Sequence, residues 1–455
     1  MLVAGVDSST QSTKVVLCEA DSGAVVAEAS APHPEGTSCP PEAWWRALTT
    51  AGDGLLSRAA AVAVAGQQHG MVVLDGDGAV VRDALLWNDT RAAGAARDLV
   101  RELGGPDTWA ATTGSVPTAS FTVTKLRWLS RNEPEAASRV RRVMLPHDYL
   151  TWRLGARDPV TDRGDASGTG YFDVRTGRWL PAYVEAAFGR PLELPRVAGP
   201  AERVGETAWG AVLAPGTGDN MAAALGLDPQ PGDVVVSLGT SGTAFTVSAA
   251  PSADPRGEVA GFADATGRFL PLVCTLNAAR VLDSAAALTG ASLSELSDLA
   301  LRAEAGAGGL TLLPYLDGER TPNRPGANGV LRGLTTRNAT RENLARAAVE
   351  GMLASLAEAA DRLGPAPRRI VLIGGAAASD AVRRIAPEVF CVPVVVPRPA
   401  QYVALGAARQ AAWALTGTLP AWERAPAETF TAPARPVIRK QFVALRDDTR
   451  PWTEE

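Results

Sequence analysis

Residues 3–6 (VAGV) and 15–17 (VVL) are apolar, and every position from Asp7 to Lys14 between them is polar. The runs are short and β-branched, and the spacing leaves no room for a helix. The pattern predicts two strands joined by a tight turn. The same pattern returns half a chain later in VVVSLGTSGTAFTV, residues 234–247. Internal similarity of this kind predicts two related domains, each presenting a hairpin of small polar residues. Elsewhere, strand-like runs (61–66, 142–146, 369–375, 393–397) alternate with helical stretches (96–103, 343–363, 404–415). That alternation predicts an α/β fold. The segment PGTGDN, 215–220, breaks the pattern just before an Ala-rich helix, which divides the chain into 1–218 and 219–455. The Pro-rich tail of mixed charge from about residue 420 is expected to pack loosely or to cap one domain.

Size fits two domains: 455 residues exceed a usual single core. The net charge of −5 and the absence of a Lys/Arg run exclude a basic footprint for nucleic acid or a membrane surface, so small molecules are the expected partners. Cys18, Cys39, Cys274 and Cys391 are widely separated and form no C-x-x-C, which predicts reduced thiols rather than a zinc site or a disulfide framework. The first residues run directly into a strand with no basic and apolar leader, and the expected compartment is the cytoplasm.

The candidate chemistry begins in the first turn. Ser8, Ser9, Thr10, Ser12 and Thr13 are small hydrogen-bonding residues suited to converging on a phosphate, and Lys14 adds positive charge. Asp7 beside an anion requires a divalent cation between them, and Mg2+ is commonly held by one or two carboxylates plus substrate phosphates. An ordinary polar hairpin is the alternative. Asp219 and Asn220 start a helix, where Asp can serve as an N-cap or as a proton acceptor kept ionised by the helix N-terminus. GQQHG places Gln68 and His69 in a Gly-bounded loop after a strand, where ligands gather in α/β sheets. Trp87 and Asn88 in LLWNDTR suit a sugar, or a plain capped helix start. Gly374 and Gly375 follow an apolar strand and allow close approach of a flat ligand. No G-x-G-x-x-G follows the first strand, which makes a Rossmann dehydrogenase a poor fit.

Together these segments resemble the FGGY family of carbohydrate kinases. FTVTKLRWLSRNE (121–133, around Lys125 and Trp128) and GVLRGLTTRNATRENLARAAVE (329–350) are similar to its two signatures. GVDSSTQSTK, GQQHG, LWNDTR, HDYLTWRLGA, TDRGDASGTGYFDV, GTGDNMAAALG, SLGTSGT, PYLDGERTPNRP and LIGGAAAS follow in family order from residue 5 to about 412. The resemblance implies an actin-like ATPase fold, two RNase-H-like domains around a central cleft that binds ATP, Mg2+ and a sugar. It implies that Asp7 acts through Mg2+, held through water, and the phosphates, and that Asp219 is the base on the sugar hydroxyl. Gln68, His69, Trp87, Asn88 and Asn220 correspond to sugar-contacting positions. Ser9, Thr10, Ser12, Thr13, Lys14, Gly239, Thr240, Gly374, Gly375 and Ser379 correspond to nucleotide-binding ones. The implied reaction is ATP-dependent phosphorylation of a sugar hydroxyl, D-xylulose to D-xylulose 5-phosphate first. The alternatives are L-ribulose, L-rhamnulose, gluconate or glycerol, or a noncatalytic nucleotide-binding sugar sensor, and the assembly can be a homodimer. Departures from the family are Gln68 for a frequent Met, Ala376 and Ala378 for a Gly and a basic residue, and VCTLNAARVLD (273–283), which lacks the bulky aromatic or His expected there.

Overall fold

The computed structural model describes residues 1–449. The chain forms two compact units. One comprises residues 1–228, 248–270 and 400–424, and the other residues 229–247, 271–399 and 425 onward. They are interleaved along the chain, whereas the sequence-based division at 218/219 marks contiguous halves.

In the first unit, β1 (Leu2–Ser8) and β2 (Ser12–Glu19) form the expected hairpin, with Asp7 opposite Lys14 and Ser8 opposite Thr13. β3 (Val25–Pro32) extends it on the β2 side. On the other side β1 pairs in parallel with β4 (Ala61–Gly66), which is buried along its whole length. The short strands Val212–Leu213 and Thr217–Gly218 pair with the far edge of β4, also in parallel. An all-apolar strand such as AVAVAG has no polar face to expose, and a central position covers both its faces.

Two helices fix this sheet from one side. Tyr402–Thr416 buries Ala404, Ala407, Ala408, Ala411 and Ala412, spaced for one helical face, in a cluster with Val3, Val16 and Ala63. Its backbone comes so close that a Cβ at Gly5 on β1 would lie 1.8 Å from the Ala404 carbonyl oxygen. Asp219–Leu227 packs against the same helix, and a Cβ at Gly406 would lie 1.8 Å from the Ala222 carbonyl oxygen. The abundance of Ala and Gly in these segments is therefore a packing requirement.

In the second unit, β5 (Asp233–Leu238) and β6 (Gly242–Phe245) form the second hairpin. β6 pairs with β7 (Phe269–Thr275), and β5 runs parallel to β8 (Arg369–Ile373), which runs parallel to β9 (Val394–Pro397). Taken from the antiparallel side, the order β3-β2-β1-β4-(Val212–Leu213) in one unit has the same directions as β7-β6-β5-β8-β9 in the other. The repeat seen in the sequence is thus a repeat of topology, and both units have the mixed α/β architecture of the actin-like ATPases.

The tail is not loosely packed. Trp422 Nε1 donates to the Ala20 carbonyl at 2.9 Å in the first unit. In the second, Ala427–Phe430 adds an antiparallel strand to β9, and Pro436–Asp448 buries Ile438, Phe442 and Leu445. Apolar spacing 438/442/445 is helical, and the prolines before it obscure that pattern. Among the described residues no helix is long and apolar enough to cross a membrane. All four cysteines are free.

Candidate active site

The register of the first sheet brings the two key carboxylates to one edge. Asp7 faces Ala65 on one side of β4, and Thr217 faces Ala65 on the other, followed by Gly218 and Asp219. Neighbouring strands are about 4.8 Å apart, so the segments bearing Asp7 and Asp219 are separated by about two strand spacings.

Asp7 is buried at the end of β1. It accepts a hydrogen bond from Ser9 Oγ, and Lys14 Nζ lies 3.8 Å from its other oxygen. Burial raises its pKa; Ser9 and Lys14 oppose that rise. Trp87 Nε1 donates to Thr10 Oγ1 at 2.8 Å, joining the WNDTR segment to the first turn. Thr13 has no exposed surface, and its hydroxyl bonds Ser8 and His33 within the hairpin. Asn88 Nδ2 reaches the Gly36 carbonyl at 3.4 Å, and Asp89 is engaged by Arg91 and Thr37.

Asp219 is the first residue of its helix, after Gly218 in the capping position, so its carboxylate is not the cap. One oxygen accepts from Asn220 N (2.8 Å) and Asn220 Nδ2 (3.0 Å). Asn220 Nδ2 also donates to Gln68 Oε1 at 3.0 Å, which leaves buried Gln68 Nε2 without a hydrogen-bond partner among the described residues. The helix N-terminus favours the ionised form of Asp219, and the groups around it work against that. Burial, the charge of Asp7 and the charge of Asp165 together push its carboxyl up to about 8. A half-charge at a helix end cannot offset desolvation plus two nearby anions.

His69 has a left-handed backbone, φ 67°, just beyond β4. Its Nδ1 lies 2.6 Å from the Gly168 carbonyl oxygen, which can only accept, so Nδ1 carries the proton. The ring packs against Phe121 and Phe262. Its carbonyl accepts from Lys125 Nζ (2.8 Å) and Thr122 Oγ1 (3.2 Å). Lys125 is completely buried, and desolvation lowers it to about 7. Lys125 of the first signature thus holds the loop that presents His69, and Trp128 stacks with Arg82 and Arg91.

In the second unit, Gly239 and Thr240 are exposed in the β5–β6 turn, their carbonyls accepting from Ala279 N and Ala278 N. Gly374 has φ 93°, and a Cβ there would lie 2.6 Å from the Leu238 carbonyl oxygen; only glycine lets the end of β8 press on the end of β5. Gly374, Gly375 and Thr240 are therefore gathered at one end of this sheet, with Ser379 nearby at the position before the helix Asp380–Phe390, its side chain making no capping hydrogen bond. In PYLDGERTPNRP the carboxylate of buried Glu319 accepts from Leu276 N (2.6 Å) and Asn277 Nδ2 (3.0 Å), tying this loop to the one after β7.

Residues 2–226 match the N-terminal domain of the FGGY family of carbohydrate kinases, and residues 234–415 match its C-terminal domain. The chain belongs to the FGGY family of carbohydrate kinases. The kinase is 47% identical to a xylulose kinase of Streptomyces rubiginosus over 95% of this chain and 93% of that protein, and 48% identical to one from Streptomyces coelicolor over 91% and 88%. The crystal structure of xylulose kinase from Bifidobacterium adolescentis superimposes with a TM-score of 0.92 at 41% identity, covering 98% of this chain and 99% of that one. The enzyme is an ATP-dependent sugar kinase. Sequence reasoning passed over His147 and Asp165, although both lie in segments it had matched to the family, HDYLTWRLGA and TDRGDASGTGYFDV.

Proposed function

We propose that this kinase phosphorylates D-xylulose at its terminal hydroxyl, giving D-xylulose 5-phosphate. Supporting this substrate are whole-chain relatives that act on xylulose, at nearly half identity. Asp219 is the base. It accepts the proton of the attacking hydroxyl, a modest task because phosphoryl transfer proceeds through a loose transition state. Gln68, His69 and Asn220 orient the sugar, with Trp87 and Asn88 at its margin. The observation that carries this reading is the convergence of Asp219, Asn220, Gln68 and Asp7 at one sheet edge.

Asp7, with Ser9 and Lys14 beside it, suits a cation shared with phosphates. No group of three or more His, Cys, Asp or Glu that could cage a metal occurs among the described residues, and Mg2+ bound with nucleotide needs only one carboxylate and water. When bound, Mg2+ supplies charge neutralisation of the phosphates. Ser9, Thr10, Ser12 and Lys14 of the first turn face the phosphates, with Thr13 bracing the hairpin. Gly239, Thr240, Gly374, Gly375 and Ser379 hold the nucleotide. Neutralising Asp7 removes one of the two charges that raise Asp219, so nucleotide loading favours the ionised base.

Measuring sugar-dependent ADP release over D-xylulose, L-ribulose, L-rhamnulose, gluconate and glycerol tests the proposal. The highest kcat/KM is expected with D-xylulose. A higher value with another sugar reassigns the substrate, and ATP binding without sugar-dependent ADP release with any of them abolishes the reading.

A further inference from the structure

Two stretches singled out in the sequence, PYLDGERTPNRP and VCTLNAARVLD, meet at one buried carboxylate of the second unit. Glu319 is 1% exposed and stands on a fixed base: its N–H donates to the Arg324 carbonyl at 2.9 Å, and its carbonyl accepts from Arg324 N at 2.8 Å. One step earlier Gly318, φ 90°, donates to the Ala327 carbonyl at 2.8 Å, and a Cβ there would lie 2.5 Å from the Pro325 carbonyl oxygen. From this base the side chain reaches the connection after β7. Oε1 accepts from Leu276 N at 2.6 Å and from Arg320 N at 2.7 Å, and Oε2 accepts from Asn277 Nδ2 at 3.0 Å. Asn277 is itself fully buried, and the same Nδ2 donates to the Gly318 carbonyl at 2.8 Å. A carbonyl can only accept, so the amide faces this pair with its nitrogen. Burial raises the Glu319 pKa, and its donors oppose the rise.

The next two residues carry that anchorage to the second hairpin. Ala279 N donates to the Gly239 carbonyl at 2.9 Å and Ala278 N to the Thr240 carbonyl at 3.2 Å, where the helix Ala279–Thr289 begins. A Cβ at Gly242 would lie 2.6 Å from Thr275 Oγ1 and 3.4 Å from the Ala278 Cβ, so hairpin and connection adjoin directly. Gly239 and Thr240 are themselves exposed. An exposed turn keeps one shape only where its backbone groups are tied down, and the groups that tie this one belong to the connection that Glu319 anchors.

We propose that Glu319 is a positioning residue: through Leu276 and Asn277 it fixes the connection 276–279, through that connection the shape of the Gly239–Thr240 turn, and so the affinity for ATP. The first two steps stand on hydrogen bonds; the last rests on the reading of Gly239 and Thr240 as nucleotide-binding. A carboxylate suits the place because both of its oxygens accept. A glutamine of the same length turns an N–H donor toward one of the three N–H donors, and the connection must give way.

Glu319→Gln and a milder second variant, Asn277→Ala, test this in the full chain. Amide exchange at Ala278 and Ala279, followed by NMR without ligands, should quicken about tenfold or more in Glu319→Gln and by less in Asn277→Ala, with the amides of β8 as reference. The ATP dissociation constant, titrated without sugar, should rise about fivefold or more in Glu319→Gln, the scale of one hydrogen bond, while the KM for sugar at saturating ATP stays within about twofold of the parent. Whichever variant folds decides the matter. Exchange at Ala278 and Ala279 that matches the parent overturns the inference. So does quickening shared equally with β8, which reports lost stability alone. Local quickening with ATP binding as in the parent leaves Glu319 holding the turn and removes Gly239 and Thr240 from the nucleotide site.

Discussion

Asp7 and Asp219 stand on either side of one residue: Ala65 of β4 pairs with Asp7 on β1 and with Thr217, two positions before Asp219, on the opposite flank. The pairing of a central strand with two parallel neighbours gives two acidic side chains a common edge, and gives them an electrostatic bearing on each other.

Removing the proton acceptor is the most direct probe. Asp219→Ala should lower kcat by about 100-fold or more and leave the dissociation constant for ATP within about threefold of the parent. Single-turnover kinetics together with nucleotide titration measure both. Sugar turnover within about threefold of the parent would remove Asp219 from the chemistry.

The raised pKa of Asp219, about 8, sets a sign for pH. As base it must be ionised, so kcat/KM for the sugar should climb as pH rises, with a midpoint below that value because this ratio reports the nucleotide-loaded enzyme, in which the charge of Asp7 is neutralised. Stability should move the other way. A carboxyl whose folded pKa exceeds its unfolded value stabilises fully below the unfolded pKa and loses that contribution as pH rises through the folded one. The ligand-free parent should therefore melt progressively below Asp219→Asn between about pH 4 and pH 8, with a constant gap above. A gap that narrows with pH contradicts the burial of this carboxyl.

Gln68 links two parts of the site: its carbonyl holds Asn220, and its buried amide nitrogen has no hydrogen-bond partner among the described residues. Gln68→Met removes both. The KM for sugar should rise roughly tenfold, the scale of one hydrogen bond, with the KM for ATP unchanged. An equal rise in both constants would place the effect in folding rather than in sugar recognition.

Two glycines should respond in opposite ways. Gly406→Ala drives a methyl into the Ala222 carbonyl, and a loss of about 3 kcal/mol is expected from calorimetric melting. Gly375→Ala meets nothing within 4 Å and should leave the melting temperature unchanged while weakening ATP binding. An unchanged ATP dissociation constant there would exclude close approach of the nucleotide to Gly375.

The hairpins were legible because their chemistry is local: apolar runs flank polar turns at 7–14 and 239–242, and the turn residues name their own conformation. Legible too was β4, whose six apolar residues admit a buried strand. The arrangement of charges was not. His147, Asp165, Asp162 and Thr217 come from segments up to 70 positions apart, and only the parallel pairing of Thr217–Gly218 with β4 brings them under Asp219. The rise in the Asp219 pKa comes from burial and from Asp7 and Asp165, which its own helix does not reveal. Residues 436–448 were missed for another reason: a helix begun by Pro436 after several prolines reads locally as linker, and its apolar face becomes visible only against the unit that buries it.

The segment Ala400–Arg424 completes the first unit although more than 170 positions separate it from Asp228. During synthesis the face of β1 that carries Gly5, shaped to admit a helix backbone and nothing larger, stays bare until more than four hundred residues have left the ribosome. The groove beside Gly5 therefore stays uncovered until then, and its closure by Tyr402–Thr416 is a long-range event that a truncation before residue 400 abolishes.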